Sequence, residues 1–216
     1  VALGIFIIAL SLSEIKEFKF SISSRINRRN IAKYLLIVIS FILIITLVSD
    51  PLESRGFESL KETPQATNDR YLGHVYPAQF VAKYYNNSTI AVNDLGAMSF
   101  YTDARILDIY GLGSKEPVYY LEETGEYNKS DVDNWTKEKS AEIAILQPEW
   151  IVIAPRIPDS WQMAGTWNTP QNVAFGDTTI GIYAVNSSKK DELIKNLREF
   201  SSAIPEEIKQ SGEYTQ

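Results

Sequence analysis

The run 31-IAKYLLIVISFILIITLVS-49 constrains this chain more than any other feature. It is 19 residues long and carries a single charge, Lys33, near its start. As a helix it reaches about 28 Å at 1.5 Å per residue, close to the roughly 30 Å of a bilayer core. It reads as a transmembrane helix, with Lys33 placed where its stem can snorkel to the interface. The competing reading is a buried core helix, which seldom runs this far without a polar face. Upstream, 1-VALGIFIIALSL-12 is apolar but too short to span, with neither an initiator Met nor a basic leader. It reads as the end of a truncated transmembrane helix, the alternative being an interfacial or cleaved segment. One or two membrane helices therefore precede the rest of the chain.

Charge divides the sequence at the same place. Residues 1–49 hold six Lys/Arg against two acids, a balance of +4, whereas residues 50–216 hold 15 bases and 25 acids, a balance of −10, within the overall −6. Five of the six bases lie in 13–30, a short connector that the positive-inside rule keeps cytoplasmic. Everything from Asp50 onward is then extracytoplasmic. The acidic part has no basic stripe, which argues against nucleic acid. There is no cysteine and one histidine, His74. Disulfides, cysteine zinc sites and thiolate chemistry are excluded, and we expect no metal and no cofactor.

Residues 50–70 mix Pro, Gly and alternating charges and read as a linker. An α/β domain is expected over 71–204, with 205–216 a frayed tail. Within it, 76–87 has a Pro-led helical stripe, and 89-TIAVN-93 and 179-TIGIYAV-185 are short buried strands. The spacing of 137–147 suggests a helix, and 150-WIVIA-154, bounded by prolines, an interior strand. The polar and aromatic stretch 156–172 reads as a loop, and 189–204 as an amphipathic helix with Leu193, Ile194, Leu197 and Phe200 on one face. Helices alternating with short buried strands predict a mostly parallel, Rossmann-like α/β sheet.

In such sheets ligands sit beyond the carboxyl ends of strands. That rule points to 90-IAVNDLGAMSFYTDARILDIYGLGS-114, where Asn93, Asp94 and Gly111 would lie at strand ends. Asp94 can cap the following helix, and Gly96 lets that helix approach the sheet. Two readings of Asp94 and Asp108 stand: a cap and a buried acceptor, or participants in chemistry. Trp161 and Trp167, with their amide neighbours, suit sugar stacking or headgroup contact unless they fold back into the core. Other constellations fail. Residues 111–114 lack the third glycine of a dinucleotide fingerprint, and no Gly-x-Ser-x-Gly accompanies His74. Asp131, Asp133 and Glu142 have calcium-loop spacing without the ligand and glycine that must stand between them. Five Asn-x-Ser/Thr sequons, at Asn86, Asn87, Asn128, Asn134 and Asn186, permit N-glycosylation on an outward-facing domain.

The pattern Asn93-Asp94-Leu95-Gly96-Ala97, the pair Phe100-Tyr101, and Arg105-Ile106-Leu107-Asp108-Ile109-Tyr110-Gly111-Leu112 resemble the soluble C-terminal domain of GT-C-type membrane glycosyltransferases. The likeness is to those related to dolichyl-phosphate-mannose protein mannosyltransferases, glycosyltransferase family 39. It covers the architecture from about Tyr34 onward, with roughly 25 residues being specific. It implies a multi-pass membrane protein that transfers sugar from a polyprenyl-phosphate carrier to a glycan or protein acceptor. The acidic base of that family lies in a loop this sequence does not contain, so no catalytic residue carries over. The implied role of 71–204 is accessory binding, for which Asn93, Asp94, Gly96, Tyr101, Arg105, Asp108, Gly111, Trp161 and Trp167 are the candidates. The rival expectation is a non-enzymatic, membrane-anchored module that binds a small ligand or a partner.

Overall fold

The computed structural model describes residues 28–150, 152–170, 172–174 and 177–216. The expected truncated helix 1–12 and most of the basic connector lie outside them. The chain divides into two compact units, 1–58 and 59–216.

The first unit contains helix α1 (Arg28–Pro51), which encloses the apolar run, and a π-helical turn (Leu52–Phe57). The described large apolar side chains of α1 are all exposed, from 47% at Ile45 to 66% at Leu47. The Thr46 hydroxyl donates back along the helix to the carbonyls of Ile42 and Leu43, so it is satisfied within α1 itself. Among the described residues no helix is long and apolar enough to cross a membrane.

The second unit takes in all but the first residue of α2 (Glu58–Arg70), so most of the expected linker is helical although Pro64 interrupts its hydrogen bonding. A tertiary contact holds its end: buried Asp69 accepts the Val173 N–H at 2.8 Å and the Gln65 amide at 2.7 Å. A π-helical turn (Tyr71–Val75) leads into α3 (Tyr76–Tyr84), with Pro77 in its first turn and Phe80 and Val81 fully buried. Then follow β1 (Thr89–Val92), α4 (Gly96–Tyr101), β2 (Arg105–Asp108), α5 (Lys115–Thr124), α6 (Lys129–Glu138) and β3 (Ala141–Leu146). The chain finishes with β4 (Gln162–Asn168), β5 (Thr179–Ala184), α7 (Lys190–Phe200) and β6 (Lys209–Gly212).

The six strands form one mixed sheet in the order β2-β1-β3-β5-β4-β6. β1 pairs parallel with β2 and β3, while β3–β5, β5–β4 and β4–β6 are antiparallel. The α/β class stands, but the expectation of a mostly parallel sheet is corrected: three of the five pairings are antiparallel. Four misread segments account for the difference. Residues 137–147 contain the end of α6, a turn through Ser140 at φ 52°, and β3. Five of the six β3 residues are buried, so the strand has no alternating period to separate it from a helix. Of the expected strand 150–154, residues 152–154 belong to a turn: Ile153 and Ala154 N–H both return to the Trp150 carbonyl. The expected loop 156–172 holds β4, and the expected tail holds β6.

Successive residues of each strand bury opposite faces. Ile90, Val92, Ile143, Ile145, Ile180 and Ile182 pack under α3 and α7 with Phe80, Leu193, Leu197 and Phe200. Ala91, Leu107, Ala144, Leu146 and Tyr183 pack under α6 with Val132, Trp135, Tyr127 and Trp161. At the antiparallel edge two glycines permit close approach. A Cβ on Gly165 would stand 2.4 Å from the Tyr214 ring, and one on Gly212 (φ 134°) 2.5 Å from the Ala164 carbonyl oxygen.

Candidate functional site at the carboxyl edge of the parallel strands

β1 lies between β2 and β3. The chain leaves β1 toward β2 on one side and later enters β3 on the other, so the strand order reverses between β1 and β3. This is the kind of switch point at which α/β sheets open a crevice beyond their strand ends. Asn93 follows β1 and Gln147 follows β3. The Asn93 Oδ1 accepts the Gln147 N–H at 3.1 Å, and its Nδ2 donates to the Gln147 side chain at 3.3 Å. Asn93 is buried, and its amide pair forms the floor of the crevice.

The next residue, Asp94, joins Arg70 at the end of α2 and His74 in the following turn. Arg70 Nη1 lies 2.9 Å from His74 Nε2 and 3.4 Å from the Asp94 carboxylate, which is 3.7 Å from His74 Nδ1. A guanidinium only donates, so Nε2 is the unprotonated nitrogen and Nδ1–H faces Asp94. Burial holds the His74 pKa below its ordinary value; the Asp94 charge opposes that shift and the Arg70 charge adds to it. The imidazole is thus a neutral bridge between a cation and an anion.

Gly73, Pro77, Ala97, Met98 and Ile180 close the remaining walls. The interior measures ≈ 20 Å³. On that measure one water needs about 10–15 Å³, so the crevice as it stands takes a water-sized polar group. It can orient such a group between amides, an imidazole and a carboxylate. It offers no nucleophile with a base beside it.

Beside it, the loop after β2 is built around Asp108. Its carboxylate accepts the N–H groups of Tyr110 at 2.8 Å, Leu112 at 2.5 Å and Gly113 at 2.7 Å. Asp108 is 1% exposed, which makes it a structural acceptor rather than a ligand contact. Gly111 takes φ 102°, and a Cβ there would meet Pro117 at 3.0 Å. The loop presents Tyr110 against Trp150, which follows β3, with ring centroids 4.7 Å apart and both rings partly exposed. Arg156 lies 3.8 Å over the Tyr127 ring and donates to its hydroxyl at 2.6 Å.

The structure brings together Asn93 and Asp94 and places Asp108 and Gly111 in the neighbouring loop. Gly96 meets no steric demand: a Cβ there would make an ordinary 3.6 Å contact with Asp94, whose Oδ1 accepts its N–H at 3.1 Å. The expected close approach of α4 through Gly96 is corrected accordingly. Tyr101 ends α4 and Arg105 begins β2, at the amino edge, so neither reaches the crevice. Trp161 and Trp167 are corrected from ligand contacts to core. Trp167 is fully buried and donates to Tyr214 Oη at 2.9 Å, while Trp161 packs on Tyr183.

Arg70, His74, Gln147, Tyr110 and Trp150 were not among the sequence candidates. Gln147 would have emerged had β3 been read as a strand, because it occupies the same position after β3 that Asn93 occupies after β1. Among the described residues, no three His, Asp or Glu converge as metal ligands. The calcium-like spacing dissolves into α6, where Asp131 accepts the Asn128 N–H in a capping box.

No curated protein and no solved structure matches the chain. A family model does match, over residues 66–183, a span that runs from the end of α2 through β5 and includes the whole crevice. The chain belongs to that family, described as a domain of unknown function, DUF8728.

Proposed function

We propose that this chain is the membrane-anchored, extracytoplasmic C-terminal domain of a polytopic GT-C-like glycosyltransferase that uses a polyprenyl-phosphate-linked sugar donor, with an accessory binding role. The anchor is α1, whose described large apolar side chains are exposed and suit lipid. The basic connector before it supports the outward placement of residues 59–216. The parallel strands β2-β1-β3 carry the Rossmann-like part of the fold.

One observation carries the binding role: the Asn93–Gln147 pair stands at the β1/β3 switch point, with Asp94, His74 and Arg70 on one side and the Tyr110–Trp150 pair at the same edge. Amides and carboxylates that read hydroxyls, beside aromatic faces, form the chemistry that sugar recognition uses. The role is accessory, with catalysis assigned to the acidic loop that the GT-C resemblance implies outside this sequence.

The test is a titration of the full chain in bilayer discs with a polyprenyl-phosphate-linked mannose and, separately, with free mannosides, read by tryptophan fluorescence. Saturable binding that is lost in Asn93→Ala/Gln147→Ala supports the reading. Absence of binding by both, with native circular dichroism, ends it. A second reading, a non-enzymatic module for a small polar ligand, is favoured by the ≈ 20 Å³ crevice. It predicts binding of small ligands with no response to the lipid-linked sugar.

A further inference from the structure

The five sequons take no part in the binding reading, and the fold sorts them. Asn86 is engaged through both ends of its amide: Oδ1 accepts the Asp103 N–H at 2.8 Å and Nδ2 donates to the Asp103 carboxylate at 2.9 Å. Asn87 is exposed, but its Ser88 hydroxyl is turned inward to Glu142 at 2.9 Å. Asn134 lies inside α6, and its Thr136 is fully buried, with the hydroxyl bonded back to Val132.

Asn128 and Asn186 differ from these in the same way. Both are exposed at the start of a helical segment, and in both Oδ1 accepts the N–H of the serine two residues on, at 2.8 Å from Ser130 and 3.0 Å from Ser188. The Ser188 hydroxyl also donates to Asn186 Oδ1 at 2.8 Å but, unlike that of Ser88, stays at the exposed surface. Neither Nδ2 donates to a described group. A substituent on Nδ2 therefore leaves each cap intact, whereas at Asn86 it would displace a hydrogen bond.

We propose that Asn128 and Asn186 are N-glycosylation sites of this domain. The inference rests on the extracytoplasmic placement proposed above. In the transfer, Nδ2 attacks the anomeric carbon of a polyprenyl-diphosphate-linked oligosaccharide. The bond from that carbon to the phosphate oxygen breaks, the lipid diphosphate leaves with the electron pair, and one amide proton passes to a base of the cell's oligosaccharide transferase. Asn186 donates its own N–H to the Glu142 carbonyl, near the amino end of β3. A glycan there leaves the crevice at the carboxyl end uncovered.

The test uses the full chain made in cells that carry an oligosaccharide transferase, with glycopeptide mass spectrometry of the membrane fraction. Glycans are expected at Asn128 and Asn186, and Ser130→Ala and Ser188→Ala each remove one while leaving the backbone caps in place. Because the chain has no cysteine, Glu122→Cys supplies a single exposed thiol for a membrane-impermeant maleimide on intact cells. Labelling with neither asparagine modified overturns the inference and leaves the outward placement standing. Absence of labelling overturns both. Glycans at Asn86 or Asn134 in place of the two named sites would show that the fold does not sort the sequons as argued.

Discussion

The two halves of the sheet obey different rules. In β2-β1-β3 the strands are parallel, run in one direction to a common edge, and deliver polar side chains there from three separate loops. In β5-β4-β6 the strands are antiparallel, and polar atoms close on one another: Trp167 Nε1 meets Tyr214 Oη, Gly165 leaves room for the Tyr214 ring, and Gly212 lets the Ala164 carbonyl approach. Burial pushes the Tyr214 hydroxyl up to about 12, so it stays neutral beside the indole. The parallel half builds a site, and the antiparallel half braces it.

The largest effect that separates them should come from Trp167→Ala. Removing a fully buried indole from the first core cluster is expected to cost about 3–5 kcal/mol, measured by thermal unfolding of the purified chain. A small loss there would show that the antiparallel half does not brace the sheet. Next is Asp108→Ala, which strips three loop N–H groups of their acceptor and should cost about 1–3 kcal/mol. Hydrogen exchange should rise at Tyr110, Leu112 and Gly113 and stay unchanged at β4 and β6; a global change would mean that the two halves unfold as one unit.

His74 sharpens the comparison through pH. Its folded pKa lies below the unfolded value of 6.5, so the unfolded chain binds the proton first as pH falls. The stability contribution of the neutral imidazole is full above about 6.5 and declines as pH drops through the folded pKa. His74→Gln should flatten the decline of the stability profile below about pH 6.5, and a profile unchanged by the substitution would remove His74 from the argument. The smallest effect belongs to Gly96→Ala, for which the ordinary contact predicts a neutral or slightly stabilising change of about 0.5 kcal/mol. A loss above about 1 kcal/mol would mean that α4 needs the glycine after all.

Much of the parallel half was legible before folding. β1, β2 and α3 are short, bounded patterns, and the carboxyl-edge rule pointed directly to Asn93 and Asp94. Asp108 was readable as either a buried acceptor or a participant in chemistry, and its burial with three loop N–H groups on its carboxylate favours the acceptor. The other half of the site was hidden. Gln147 and Trp150 follow β3, whose two-sided burial erases the period that identifies strands, and Arg70 and His74 come from a helix that local propensity gives no reason to expect.

By itself the sequence determined that the apolar run is helical, the unequal charge of the two parts of the chain, and the α/β alternation, because these patterns act over a few neighbouring residues. Only the tertiary structure decided the mixed sheet, the withdrawal of Trp161 and Trp167 into the core, and the meeting of Arg70 and His74 with Asp94. Those depend on contacts between residues tens of positions apart, such as Trp167 with Tyr214 and Asp69 with Val173, whose partners no local pattern specifies.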